Sequence, residues 1–511
     1  MAVTANKPRP RSARALRDQP TQAGAVIVLV AMACASTAHA VGWDFEPSVG
    51  GQATYTDNSN HSENDPHDAL ILTATPGFTL RSKGSRRVEA IMQYGLTGVQ
   101  RFRFGEDDST DILHRLNAMG TAELVEDFLF IDGSARISQE IISLEGSLVE
   151  AEISDSNRAN VGTYSVSPYV RKRLGTFADA LARYTASGAI FENDVAANQN
   201  VNAFTAGLTS GTRFDELSWG VDYSIREARN RNDVNTTFER VVASLGYALT
   251  PRFRIFGTAG EEWNDYPSVT ETDGTSWSAG FGWSPGRRTS IEASMGERFF
   301  GNTYSLSARH RTRASNWNVR YVEDLSDLSL SLFTTGTVYD YLCTDPLRIY
   351  VNWPFGVSPA PDCQIIGFGE PGLLFDLRGG VFVSRSLAAG VSWGIGKLKY
   401  SLNAYDSKRD FQLADAEDRT QGVTAALGYR LAPNTHATGS VGLSRNTIPA
   451  ALSTDGVERI DDISRFTLGV THQFDPGLSG GLTYQHQQRD SNVMFGDFTE
   501  NRITAMVNMS F

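Results

Sequence analysis

The chain has 511 residues, a formal net charge of −12 and a mean hydropathy of −0.27. That acidity excludes a nucleic-acid partner, which requires a basic face. The length admits either three ordinary domains or one large barrel.

The one strongly apolar run, Ala25–Ala33, is too short for a transmembrane helix, which takes about 20 residues. Lys7, Arg9, Arg11, Arg14 and Arg17 precede it, and Ala38-His39-Ala40 follows with small residues at the −3 and −1 positions. Together they predict a secretory signal over residues 1–40, cleaved after Ala40. Cys34 follows Ala31-Met32-Ala33, a poor lipobox. Removing this segment takes five of the 46 basic residues and one of the 58 acidic ones, leaving 41 and 57 and a net charge of −16.

Beyond residue 40, segments of about ten residues alternate apolar with small or polar side chains, the pattern of a wall with lipid on one side and water on the other. In Val88–Gly98 one face carries Val88, Ala90, Met92, Tyr94 and Leu96, and the other Glu89, Gln93 and Thr97, with Ile91 out of step. Trp277, Ala279, Phe281 and Trp283 alternate with Ser276, Ser278, Gly280 and Gly282. The pattern returns at Val423–Leu431, at Phe466, Leu468 and Val470, and at Ile503, Ala505, Val507, Met509 and Phe511.

Connections alternate as well. Short ones at Ser82–Ser85, Ala248–Arg252, Ser284–Arg287, Leu431–Asn434 and Phe474–Leu478 are separated by long polar ones at Asp57–Asp68, Glu106–Asp111, Glu261–Gly274, Lys408–Arg419 and Asn446–Asp462. Periplasmic turns and extracellular loops differ in this way, so the chain is expected to be an all-β transmembrane antiparallel barrel over residues 41–511, with about 22 strands and an even number between 16 and 26. A soluble sandwich or propeller also alternates. Against it stand aromatic residues at strand ends (Trp277, Trp283, Tyr94, Tyr429, Tyr484), Gly and Ser on the second face, and a terminal Phe511 that resembles the signature read by the barrel-insertion machinery.

From Leu325 to Gly372 the rhythm breaks in a stretch with Pro346, Pro354, Pro359, Pro361, Pro371 and Trp353. By parity it is extracellular, and so long a loop is a lid, a constriction, a binding surface or a stabilised surface loop. It holds Cys343 and Cys363, expected in an oxidising compartment to form a disulfide contributing about 3 kcal/mol. No His lies between them, so a metal site is not expected there.

The segment Trp283–Asp324, with Arg288-Thr289, Gly296, Arg298-Phe299-Phe300-Gly301 and His310-Arg311-Thr312-Arg313, and the run Glu46–Asn60 with Tyr55-Thr56-Asp57-Asn58, resemble outer-membrane proteins associated with exosortase, or PEP-CTERM, systems. The resemblance implies an envelope role in polysaccharide production or export. It supplies no mechanism, and the Cys343/Cys363 loop has no counterpart in that pattern.

Alternation directs the lumen-facing chemistry. With Tyr304, Leu306, Ala308 and His310 on the lipid face, Arg309, Arg311 and Arg313 face the lumen, joined by Glu292 and Arg298 from the preceding strand and Arg320 from the next. This basic cluster is either an electropositive track for an anionic solute or polysaccharide, or an ion-paired ladder bracing the wall. No nucleophile elbow, phosphate loop, His-x-x-x-His pair or catalytic triad context occurs, so no enzyme, cofactor or metal is expected. No plug-like domain precedes the first strand, which speaks against a TonB-dependent receptor. The expected role is a Gram-negative outer-membrane channel or export conduit for exopolysaccharide, in contact with membrane lipid. The alternative is a closed structural or binding barrel that works through its extracellular loops.

Overall fold

The computed structural model describes residues 42–511 apart from 86, 105–106, 147–156, 193–195, 231–234, 329–337, 344–347, 355–362, 369–378 and 415. The signal segment and its cleavage site lie outside the described residues.

The first half of the wall comprises β1 (Gly42–Thr56), β2 (Ala69–Lys83), β3 (Val88–Arg103), β4 (Ser109–Val125), β5 (Leu129–Ile141), β6 (Arg158–Leu174) and β7 (Ala178–Phe191). It continues with β8 (Gln199–Ser210), β9 (Leu217–Asn230), β10 (Asn235–Thr250), β11 (Phe253–Asp265) and β12 (Gly274–Gly286). The short strands β13 (Thr289–Arg298) and β14 (Gly301–Arg311) lead to β15 (Ser315–Asp327). The chain then leaves the wall for a separate three-stranded sheet of β16 (Val338–Cys343), β17 (Arg348–Pro354) and β18 (Cys363–Phe368). It returns as β19 (Val381–Ile395), β20 (Leu398–Phe411), β21 (Ala416–Ala432) and β22 (Thr435–Ile448). β23 (Arg459–Asp475), β24 (Leu478–Ser491) and β25 (Phe498–Ser510) complete it.

The wall is one 22-stranded antiparallel sheet in which β15 pairs with β19 and β25 pairs with β1. It is therefore closed, as a structure in hydrocarbon must be to leave no unpaired strand edge. The expected count is met by the wall; the three further strands in the excursion were not legible. The excursion also begins later than the sequence suggests. Leu325, Ser326 and Asp327 are the last residues of β15, paired with Val383, Phe382 and Val381, and the wall resumes only at Val381.

Turn lengths sort the two ends. Lys397 and Gly396 alone join β19 to β20, and a comparably tight turn at Gly175 joins β6 to β7. Both glycines have positive φ (60° and 61°), which side-chain-bearing residues adopt poorly. The start of β1 and the end of β25 lie at this end, with Ser48 facing Ser510. The long connections 57–68, 142–157, 328–380 and 449–458 lie at the other. The short-turn end is periplasmic and the long-loop end extracellular.

Side-chain placement follows the alternation. Trp277, Trp283, Tyr304, Trp317, Val423, Phe466 and Ile503 stand on the outer wall, exposed in the isolated protein, while their sequence neighbours Ser276 and Arg502 are buried. Phe177, Phe214 and Trp219 pack at the short-turn end with centroids 5.5 to 5.8 Å apart, an aromatic group at the membrane interface. A closed barrel with this apolar outer wall sits in the outer membrane.

Candidate functional site at the lumen wall and the mouth

The inner wall is polar, and its charges fall into two tiers. Towards the extracellular end they are buried and paired. Glu262 of β11, 2% exposed, accepts from Arg298 of β13 twice at 2.7 Å. Arg298 also reaches Asp324 of β15 at 2.8 Å, and Arg240 of β10 approaches Glu262 at 3.5 Å. Arg409–Asp418, Arg459–Asp461 and Arg101–Asp111 repeat the arrangement around the wall. At the β1/β25 seam Thr56 donates to Glu500 at 2.7 Å, and His61 packs on Phe498. Buried charges persist only when partnered, so this tier braces the barrel.

The predicted basic cluster divides between the two tiers. Arg298 belongs to the braced tier. Glu292 is held by Arg254 of β11. That guanidinium crosses β12 over Gly282, where a Cβ would meet the Arg254 Nε at 2.7 Å. Arg309 and Arg320 stay on the inner wall of β14 and β15, exposed and with no acidic partner among the described residues. They are neighbours across the strand pair, Arg309 facing Asn318 and Arg320 facing Ser307. Arg311 ends β14 at the periplasmic rim. Arg313 is a correction: it lies in the periplasmic turn between β14 and β15, where Thr312 caps the turn through the Ser315 amide, and not on an inward strand position. The predicted outward placement of His310 holds, with its Nδ1 2.7 Å from the Thr289 hydroxyl.

The mouth was not legible in the sequence. The tip of the β15–β19 hairpin leans across it. Asp327 accepts from Arg226 of β9 at 3.0 and 2.9 Å, although β10 to β14 lie between them along the wall. Leu328 packs on Ala159 and Val161 of β6 and Ala189 and Phe191 of β7. A second bridge starts from the β5–β6 loop. Ile141 and Leu144 pack against Ile448 and Ile463. Thr454 donates its hydroxyl to Glu145 at 2.6 Å, and Arg489 donates to the Gly146 carbonyl at 2.9 Å. Each aliphatic side chain so buried contributes about 2 kcal/mol. Two segments rooted on different sides of the wall thus cross the opening.

In the excursion, backbone register sets Cys343 of β16 opposite Cys363 of β18. Their side chains lie outside the described residues. Phe511 follows β25, its amide donating to the Pro47 carbonyl at 3.0 Å.

No protein-family model and no curated protein matches this sequence. Solved structures do resemble it in fold. The siderophore receptor PirA from Acinetobacter baumannii aligns with a TM-score of 0.50 at 8% identity, covering 92% of this chain and 80% of that one. A variant of the ferric enterobactin receptor from Pseudomonas aeruginosa, in complex with enterobactin, gives 0.51 at 10% identity, covering 92% and 82%. At these identities the likeness is one of fold alone: a closed outer-membrane barrel.

Proposed function

We propose that the protein is a gated outer-membrane conduit for an anionic polymer, acting in an exopolysaccharide-producing envelope system of the exosortase type. The observation that carries this reading is the pair Arg309 and Arg320, cationic and without an acidic partner among the described residues, on a polar lumen wall beneath a mouth crossed by two loops. Charges that only brace a barrel would be partnered, as Arg298 is. Unpartnered cations facing water raise the local concentration of anions. The polysaccharide as cargo is supported by the resemblance of Trp283–Asp324 to exosortase-associated barrels. A closed barrel that binds ligands through its extracellular loops is the second reading, favoured by the bridging of the mouth.

Conductance of the refolded protein in a planar bilayer, with and without reductant, separates the two. The conduit reading expects openings with anion preference, more frequent when the Cys343–Cys363 pair is reduced. Folded protein silent in both states would leave the closed binding barrel.

A further inference from the structure

A charged patch lies on the lipid side of β19–β21. On β19, Arg385 shares the outer face with Leu387; on β20, Asp406, Lys408 and Asp410 share it with Leu402; on β21, Glu417 and Arg419 share it with Val423. Register makes these neighbours: Arg385 stands opposite Lys408, Lys408 opposite Arg419, and Asp410 opposite Glu417. β20 runs towards the extracellular end and β21 starts from it, so the patch sits at the outer-leaflet edge of the apolar belt. These six side chains are each 30% to 41% exposed.

The internal pairing is uneven. Arg419 is held by Asp406 at 2.7 Å and Lys408 by Glu417 at 2.9 Å, but Arg385 is shared loosely between Asp410 at 3.6 Å and Glu417 at 3.5 Å. Glu323 of β15 stands opposite Arg385 on the same face, so three cations meet four carboxylates and a bare phosphate gains little from the patch. A phosphate carrying a divalent counter-ion matches it: Arg and Lys take phosphate oxygens, and the carboxylates take the metal ion. The chemistry that presents such a group next to lipid-facing leucines is a phosphorylated glycolipid headgroup of the outer leaflet, its acyl chains lying along Leu387, Leu402 and Val423. We infer that this face of β19–β21 is a binding site for that headgroup, bridged by a divalent cation.

The test uses the folded mature chain in detergent, with phosphorylated outer-leaflet glycolipid, the same glycolipid dephosphorylated, or inorganic phosphate, each with and without Mg2+. The midpoint of thermal unfolding and the amount of lipid retained on purification are read. The phosphorylated lipid with Mg2+ should raise the midpoint, and EDTA should remove the rise. Combining Arg385→Gln, Lys408→Gln and Arg419→Gln should cut retention about tenfold or more, as loss of charge-assisted hydrogen bonds implies. Lys408→Gln alone should cut it less, and serves if the triple variant does not fold. Equal retention by the folded variants, an equal rise with dephosphorylated lipid, or the full rise with inorganic phosphate alone would each overturn the inference.

Discussion

Asp327 at the tip of β15 and Arg226 on β9 form a two-point ion pair across the lumen, at 3.0 and 2.9 Å, with side chains only 9% and 16% exposed. The hairpin that carries the long excursion is fastened by this pair and by Leu328. Removing one partner of a buried pair leaves the other charge stranded, at a cost of about 3 kcal/mol. Asp327→Ala should therefore release the tip, raising cleavage by added protease between β15 and β19 and raising open probability in a bilayer while the barrel itself stays heat-modifiable on a gel. Unchanged proteolysis would show that the pair does not hold the hairpin.

Glu262 and Asp324 both bind Arg298, yet they differ in exposure, 2% against 65%. Solvent screens the second contact and not the first. Glu262→Gln should lower stability in urea unfolding by about 3 kcal/mol, and Asp324→Asn by under about 1 kcal/mol. Equal losses would contradict the burial argument.

Tyr266 opens the β11–β12 loop and is buried against Phe238, Leu325, Val381 and Val383. Its hydroxyl has no hydrogen-bond partner among the described residues. Replacing it with Phe removes an unsatisfied polar group, so Tyr266→Phe should raise stability by about 1 kcal/mol. Burial also pushes the Tyr266 hydroxyl well above its ordinary range. The neutral form is the one the fold accepts, so its contribution is complete below about pH 10 and declines as pH rises beyond that. Alkaline unfolding curves of the two proteins should diverge above that pH, with the Phe variant the more resistant.

Arg309 and Arg320 are the test of the conduit. Arg309→Ser with Arg320→Ser should reduce the anion-to-cation permeability ratio without loss of folding. Arg254→Ser with Glu292→Ser removes one charge of each sign and should leave the ratio near the wild-type value. The reversal potential in a salt gradient reads both, and a ratio unmoved by the first pair would end the electropositive-track reading.

The wall is readable from the residues alone. A side-chain period of two against lipid on one face and water on the other leaves one arrangement for Ser276–Trp283 or Phe466–Val470, and short turns alternating with long loops fix an antiparallel meander and which end is which. Part of the braced tier was also within reach, because Arg409 and Asp418 flank one loop and meet by hairpin register. Arg313 escapes the alternation because β14 ends at Arg311 and a turn, which has no period of two, follows. Which charges are partnered, and what crosses the mouth, depends on contacts between distant strands. Arg226 and Asp327, or Glu145 and Thr454, lie far apart in sequence and share no hairpin. Their meeting depends on barrel closure, which brings strands from different sides of the wall around one lumen, and on loops that bury Leu328, Leu144 and Ile448 inside it. Local periodicity carries no information about such distant contacts.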